Sequence, residues 1–171
     1  MNEDILTDIS GQKIVVINEI RFRGRQNIDW KDVEKYVKAY VGKHFNVFET
    51  ADKIYIGSEF PSELKGSEDT IKLRGTNAKA KANATQKIPQ LIECATNKRW
   101  SENKKDKHKI DAKYGWYRYT TRFALPIYNG NLIDRYNIYR IEIIVRHSED
   151  DKLYLYDMIN VKKEKETKYP T

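Results

Sequence analysis

Apolar and polar positions alternate along this chain in two rhythms, one of strands and one of helices. The run Lys13-Ile14-Val15-Val16-Ile17-Asn18-Glu19-Ile20, bounded by Gly11 and by Arg21-Phe22-Arg23-Gly24-Arg25, reads as a strand. A helix follows. Asp29 suits an N-cap, and Val33, Tyr36, Val37, Tyr40 and Val41 recur at helical spacing until Gly42 stops them. Two short β-prone pieces, 45–48 and 53–56, flank Thr50-Ala51-Asp52 and predict a hairpin. Residues 57–70, rich in Ser, Glu and Gly and holding Pro61, read as loop.

The most regular helical stripe is Ala80, Ala84, Ile88, Leu91, Ile92 and Ala95, with Pro89 predicting a kink or a break. Lys79 points away from the stripe. Lys81 lies at its edge, where it either snorkels to solvent or reaches across the sheet beneath. Three long strands come later, at 114–127, 135–147 and 152–162. Asn129-Gly130-Asn131 and Ser148-Glu149-Asp150-Asp151 supply turn chemistry between them, so an antiparallel meander is expected, with Pro126 marking an edge or bulge. The pattern predicts an α+β fold. An N-terminal strand and helix (1–43) precede a long helix packed on an antiparallel sheet that ends in the meander (44–163). A charged, frayed tail (164–171) closes the chain.

Composition narrows the function classes. The 171 residues suit one domain, and 12 Tyr, 5 Phe and 3 Trp supply enough aromatic surface for a core. No apolar run has the length of a membrane span, and the acidic opening Met1-Asn2-Glu3-Asp4 does not read as a signal peptide. A single cysteine, Cys94, argues against a disulfide framework and fits a reducing compartment, so a cytoplasmic location is expected. His44, His108 and His147 lie far apart and form no Cys/His array. Neither a metal nor a cofactor is therefore expected. The glycines are isolated rather than clustered in a phosphate loop, which disfavours an enzyme of small metabolites.

Charge changes the picture most. The net charge is +7, yet residues 72–122 hold fourteen lysines and arginines against four acidic residues. A basic centre on a near-neutral body is the footprint of a polyanion-binding surface; the alternative is a solvated loop kept soluble by lysine. Within it, Arg99, Trp100, Lys104, Lys105, Lys107 and Lys109 interleave an indole with cations. Such an indole can stack on bases, or it can pin the loop to the core.

Strand alternation divides the meander into two faces. Tyr117, Tyr119, Thr121, Phe123, Leu125, Tyr139, Ile141, Ile143 and Val145 share the apolar one. The other gathers Trp116, Arg118, Arg122, Arg140, Glu142, Arg146, Tyr154 and Tyr156. Those residue types match RNA cleavage through the 2′-hydroxyl, which needs a base, an acid and cations on the phosphate. Glu142 beside Arg140 is the candidate base, Arg118 and Arg122 a phosphate clamp, and His108 or His147 the acid. Tyr154 and Tyr156 can stack or donate. The alternative is ordinary cross-strand Arg/Glu pairing on a wet sheet face.

The element order carries a resemblance. A hairpin of Phe45-Asn46-Val47-Phe48 and Lys53-Ile54-Tyr55-Ile56 leads to a Lys/Ala/Asn-rich helix ending Ile88-Pro89-Gln90-Leu91-Ile92. The meander then closes on Leu153-Tyr154-Leu155-Tyr156-Asp157-Met158-Ile159. This resembles small nuclease-like domains of phage and conjugative-element proteins, grouped with barnase, EndoU, colicin nucleases and RelE toxins, including a large polyvalent protein-associated domain. The resemblance spans roughly residues 44–163. It implies an α+β domain with a metal-independent active face on the sheet, and residue types that recur at Glu142, Arg122, Arg140, His108 and Tyr156. Some members of that group act only as binding modules. Two expectations follow. One is a metal-independent endoribonuclease-like domain of a bacterial mobile element, acting on RNA rather than DNA. The other is a non-catalytic binding or inhibitor module that docks on a host nucleoprotein or protein partner through the basic 97–113 segment.

Overall fold

The computed structural model describes residues 4–24, 27–103, 108 and 111–168, and within them helices and strands both build the fold. β1 (Ile5–Thr7) and β2 (Lys13–Val16) form a short antiparallel pair. In α1 (Trp30–Val37), Asp29 accepts from the Lys31 N–H at 3.1 Å and starts the helix, which turns Val33 and Val37 into the core. A 3₁₀ turn, Lys38–Tyr40, tightens its end. Gly42, at φ +87°, then reverses the chain into the hairpin of β3 (His44–Asn46) and β4 (Lys53–Tyr55).

The segment expected as loop at 57–70 is largely helical, forming α2 (Phe60–Gly66) and the start of α3 (Glu68–Lys72). Pro61 sits in the first turn of α2, where a missing N–H costs nothing, and Ser67 caps α3 by accepting from the Thr70 N–H at 3.0 Å. The expected long helix is two shorter ones, α4 (Gly75–Ala84) and α5 (Ile88–Glu93), joined by a 3₁₀ turn. The break falls just ahead of Pro89, whose ring cannot be accommodated inside a continuous helix.

The remaining strands are β5 (Thr96–Ser101), β6 (Trp116–Asn129), β7 (Leu132–His147) and β8 (Leu153–Thr167). β6, β7 and β8 are antiparallel neighbours in chain order. They sit at the centre of an eight-stranded sheet ordered β1-β2-β6-β7-β8-β4-β3, with β5 also paired to β6. The sheet is mixed rather than antiparallel, because β2 joins β6 and β4 joins β8 in parallel. Part of the basic stretch is thus a strand, not a loop. β8 likewise runs on to Thr167, beyond the point where fraying is expected.

One face of the sheet carries the core. Tyr119, Phe123, Tyr139, Ile141, Ile143, Val145, Leu155 and Met158 pack with Val15, Val33, Val37, Leu64, Ile88 and Leu91 in one cluster. Asn83, fully buried in α4, ties the 20–22 segment to this body. Its Oδ1 accepts from the N–H groups of Arg21 (2.9 Å) and Phe22 (3.0 Å), and its Nδ2 donates to the Phe22 carbonyl at 3.0 Å. Asn83→Ala strands those backbone groups in the interior. It is expected to cost about 2–3 kcal/mol, read as a lower urea midpoint with unchanged slope.

Lys81 departs most from expectation. It is 0% exposed, and its ammonium lies 2.9 Å from Asp69 and 3.0 Å from Asp157. It does not snorkel to solvent. It joins α3, α4 and β8 from inside.

Candidate nucleic-acid interface

The other face of the sheet has only a small apolar patch of its own, Ile14, Ala124 and Ile138 with Tyr136 against them. Polar side chains stand beside it in rows, because residues directly opposite on paired strands project to the same side. Arg99 on β5 faces Arg118 on β6, and Thr120 faces Glu142. Arg122 faces Arg140, which in turn faces Lys162 on β8. Like charges opposite one another destabilise a sheet unless something neutralises them.

Glu142 neutralises the first group. Its Oε1 accepts from Arg99 at 2.9 Å and its Oε2 from Asn160 at 2.7 Å, with Arg118 3.7 Å from Oε2. Both oxygens are therefore engaged, which makes Glu142 the hub of an ion cluster rather than a base awaiting a hydroxyl. The second group is less covered. Arg122 donates to Glu164 at 2.8 Å, while Arg140 and Lys162 have no ion-pair partner among the described residues.

The histidines lie elsewhere. His108 stands edge-on to Trp116 and Tyr156, with ring centroids 5.0 and 5.3 Å away, and its Nδ1 meets Asp111 at 2.9 Å. Trp116 pairs with Arg146, four residues along β7 from Glu142, a strand distance of about 13 Å. His147 pairs with Asp151 at 2.7 Å and packs its ring against Tyr114 and Tyr117. The structure thus divides the candidate catalytic residues into three groups: His108 with Tyr156, Glu142 with Arg118, and Arg122 with Arg140. No acid–base pair of histidine and Glu142 is assembled.

Among the described residues near His108, carboxylates gather on a single buried guanidinium. Arg146, 5% exposed, has Glu63 at 2.9 Å, Asp111 at 3.8 Å and Glu59 at 3.9 Å. Burial pushes the Glu63 carboxyl up, against the pull of Arg146. Burial likewise raises the Tyr156 phenol. Among the described residues, three carboxylates thus offset this one guanidinium. This cluster staples α2 and the 111–115 turn to the sheet.

Trp100 is 58% exposed on β5. Its indole N–H donates to the Tyr114 carbonyl at 2.9 Å, and the ring lies over Gly115, where a Cβ would come within 2.6 Å of the indole nitrogen. The indole is anchored at its edge and open to solvent. Lys104, Lys105, Lys107 and Lys109 lie outside the described residues. Lys162 and Glu164 are site residues that the sequence reading misses because it ends the strand at residue 162, although both share the parity of Tyr154 and Tyr156. Met158 is the residue carried off its expected face, by shifts in the β7–β8 register next to Tyr156 and Asn160. Asn160, at φ +57°, is the local signal for one of them, being a turn-prone residue inside an apolar strand.

Among the described residues no helix is long and apolar enough to cross a membrane, and no group of three or more His, Cys, Asp or Glu side chains is placed to hold a metal ion. No protein-family model, curated protein or solved structure matches the chain, so its function is read from its own residues.

Proposed function

We propose that the protein binds single-stranded nucleic acid, RNA foremost, by laying the phosphate backbone across the outer face of β5–β8. The observation that carries this reading is the row Arg122–Arg140–Lys162, three adjacent cations answered, among the described residues, by Glu164 alone. A polyanion relieves their mutual repulsion and releases its own counterions, so binding gains from both sides. Arg99 and Arg118, which share Glu142, extend the cationic track along β6. Open sheet faces with projecting cations and aromatic rings suit unstacked strands better than duplexes, whose bases are hidden. The resemblance to nuclease-like domains of mobile elements points to the same substrate class. A docking role on a nucleoprotein uses the same track.

Cleavage is a separate matter. Glu142 and His108 stand apart on the sheet, so the reading is one of binding, with chemistry as the alternative to be tested. Fluorescence anisotropy with a labelled single-stranded RNA gives the affinity, and a denaturing gel of the same samples in EDTA reports any cutting. Arg140→Ala and Lys162→Ala are each expected to weaken binding about three- to tenfold while the RNA stays intact. Wild-type affinity in both variants would remove the row from the interface. Cutting abolished by Glu142→Ala would replace binding with catalysis.

A further inference from the structure

β5 and β2 occupy the same edge of β6 end to end, and they do not meet. The β5 pairing stops at Thr96 opposite Thr120, and the β2 pairing starts at Val15 opposite Phe123. Thr121 and Arg122 therefore have no strand partner on that edge, and a groove of about 480 Å³ opens there. Its walls include Lys13, Phe48, Glu93, Cys94, Thr121 and Arg122.

We infer that this groove receives one nucleobase of a single-stranded nucleic acid whose backbone lies on the arginine rows. The inference rests on the binding function proposed above and extends it to base recognition. Arg122 supplies the continuity, since it lines the groove and also faces Arg140 in the cationic row. A strand held at Arg122 has its base within reach of the opening.

The lining fits a base in three respects. Phe48 is 57% exposed at the rim, a flat apolar ring that water does not favour and a base can cover. Thr121 is 2% exposed, yet its hydroxyl has no hydrogen-bond partner among the described residues, although buried hydroxyls are normally paired. A base edge supplies that partner. Glu93 adds an acceptor for amino or imino groups; burial pushes its carboxyl and the neighbouring Cys94 thiol up. The volume lies in the range of about 300–1,000 Å³ usual for small-ligand clefts.

The test uses the full chain, four homopolymeric oligoribonucleotides and one RNA duplex, with affinities read by anisotropy. Phe48→Ala removes an exposed ring and leaves the core alone. It is expected to weaken single-strand binding about tenfold and to leave duplex binding unchanged. Thr121→Val preserves shape and deletes only the unpaired hydroxyl, so it is expected to keep the fold and flatten the preference among the four homopolymers. Single-strand affinity unchanged in Phe48→Ala, or base preference unchanged in Thr121→Val, would overturn the pocket while leaving the arginine rows as the interface. Absence of RNA binding by the wild-type chain would overturn both.

Discussion

Replacing Lys81 with alanine is expected to cost the fold about 3–5 kcal/mol at neutral pH, the largest loss of stability foreseen for one side chain here. The reason is what remains. Asp157 is 1% exposed and loses its only cation among the described residues, while Asp69 loses its partner at 2.9 Å. In the intact protein burial pushes the Asp157 carboxyl up to about 6, against Lys81 and against hydrogen bonds from Ser67 and the Met158 N–H. That value lies above the unfolded one of about 3.9, so the native state holds the proton more tightly. This group therefore makes stability fall as pH rises from about 4 to about 6, and its contribution is level above that range. Without Lys81 the acid is harder still to ionise. The upper edge of the window rises while its lower edge stays near the unfolded value, and the variant regains part of its stability on acidification.

Buried ion pairs often contribute less than the apolar residues that could replace them, so the penalty belongs to breaking the pair and not to lacking it. Lys81→Met combined with Asp157→Asn is accordingly expected to recover most of what Lys81→Ala loses. Urea unfolding of the three proteins at neutral and acid pH decides the matter. A Lys81→Ala protein as stable as the wild type, with the same pH profile, would mean that the ammonium is not committed to Asp157.

Reversing charge at the centre of the cationic row should have the largest effect on binding. Arg122→Glu with Arg140→Glu is expected to lower RNA affinity about 100-fold or more at low salt, since two phosphate contacts become repulsions. The fold should tolerate the change. Arg140 has no ion-pair partner among the described residues, and the Arg122–Glu164 pair is partly exposed, where such pairs contribute about 0–1 kcal/mol. Circular dichroism and a urea midpoint near that of the wild type would show that the loss is electrostatic. Unaltered affinity would place the nucleic acid elsewhere.

Local signals were legible wherever the physics was local. Asp29 caps α1, and the apolar periods of 116–125 and 138–146 mark the buried face because few contacts compete with alternation there. Alternation fails in β8, where register shifts put Met158 in the core although it shares the parity of Tyr154 and Tyr156. Only the position of Asn160 hinted at this. α2 escapes the sequence pattern because Pro61 breaks a helix when internal, although it is also a favoured residue in a first helical turn. β5 was hidden by composition, since a strand of Thr96-Asn97-Lys98-Arg99-Trp100-Ser101 has no apolar alternation and is held by pairing with β6. The site was half legible. The arginines of the outer face could be grouped by parity, but their division between Glu142 and Glu164 depends on register across three strands. The interior position of Lys81 depends on α3, an element that the sequence pattern does not announce.

The central claim is that the Arg122–Arg140–Lys162 row and its neighbours hold a nucleic acid backbone, and the salt dependence of RNA affinity tests it most directly. Five cations against Glu142 and Glu164 correspond to about three net phosphate contacts. The plot of log affinity against log salt for a single-stranded RNA should then have a slope of about −2. In the Arg122→Ala/Arg140→Ala protein the slope should be shallower by about 1.4. A flat plot for the wild type, or the same slope in both proteins, would contradict the account.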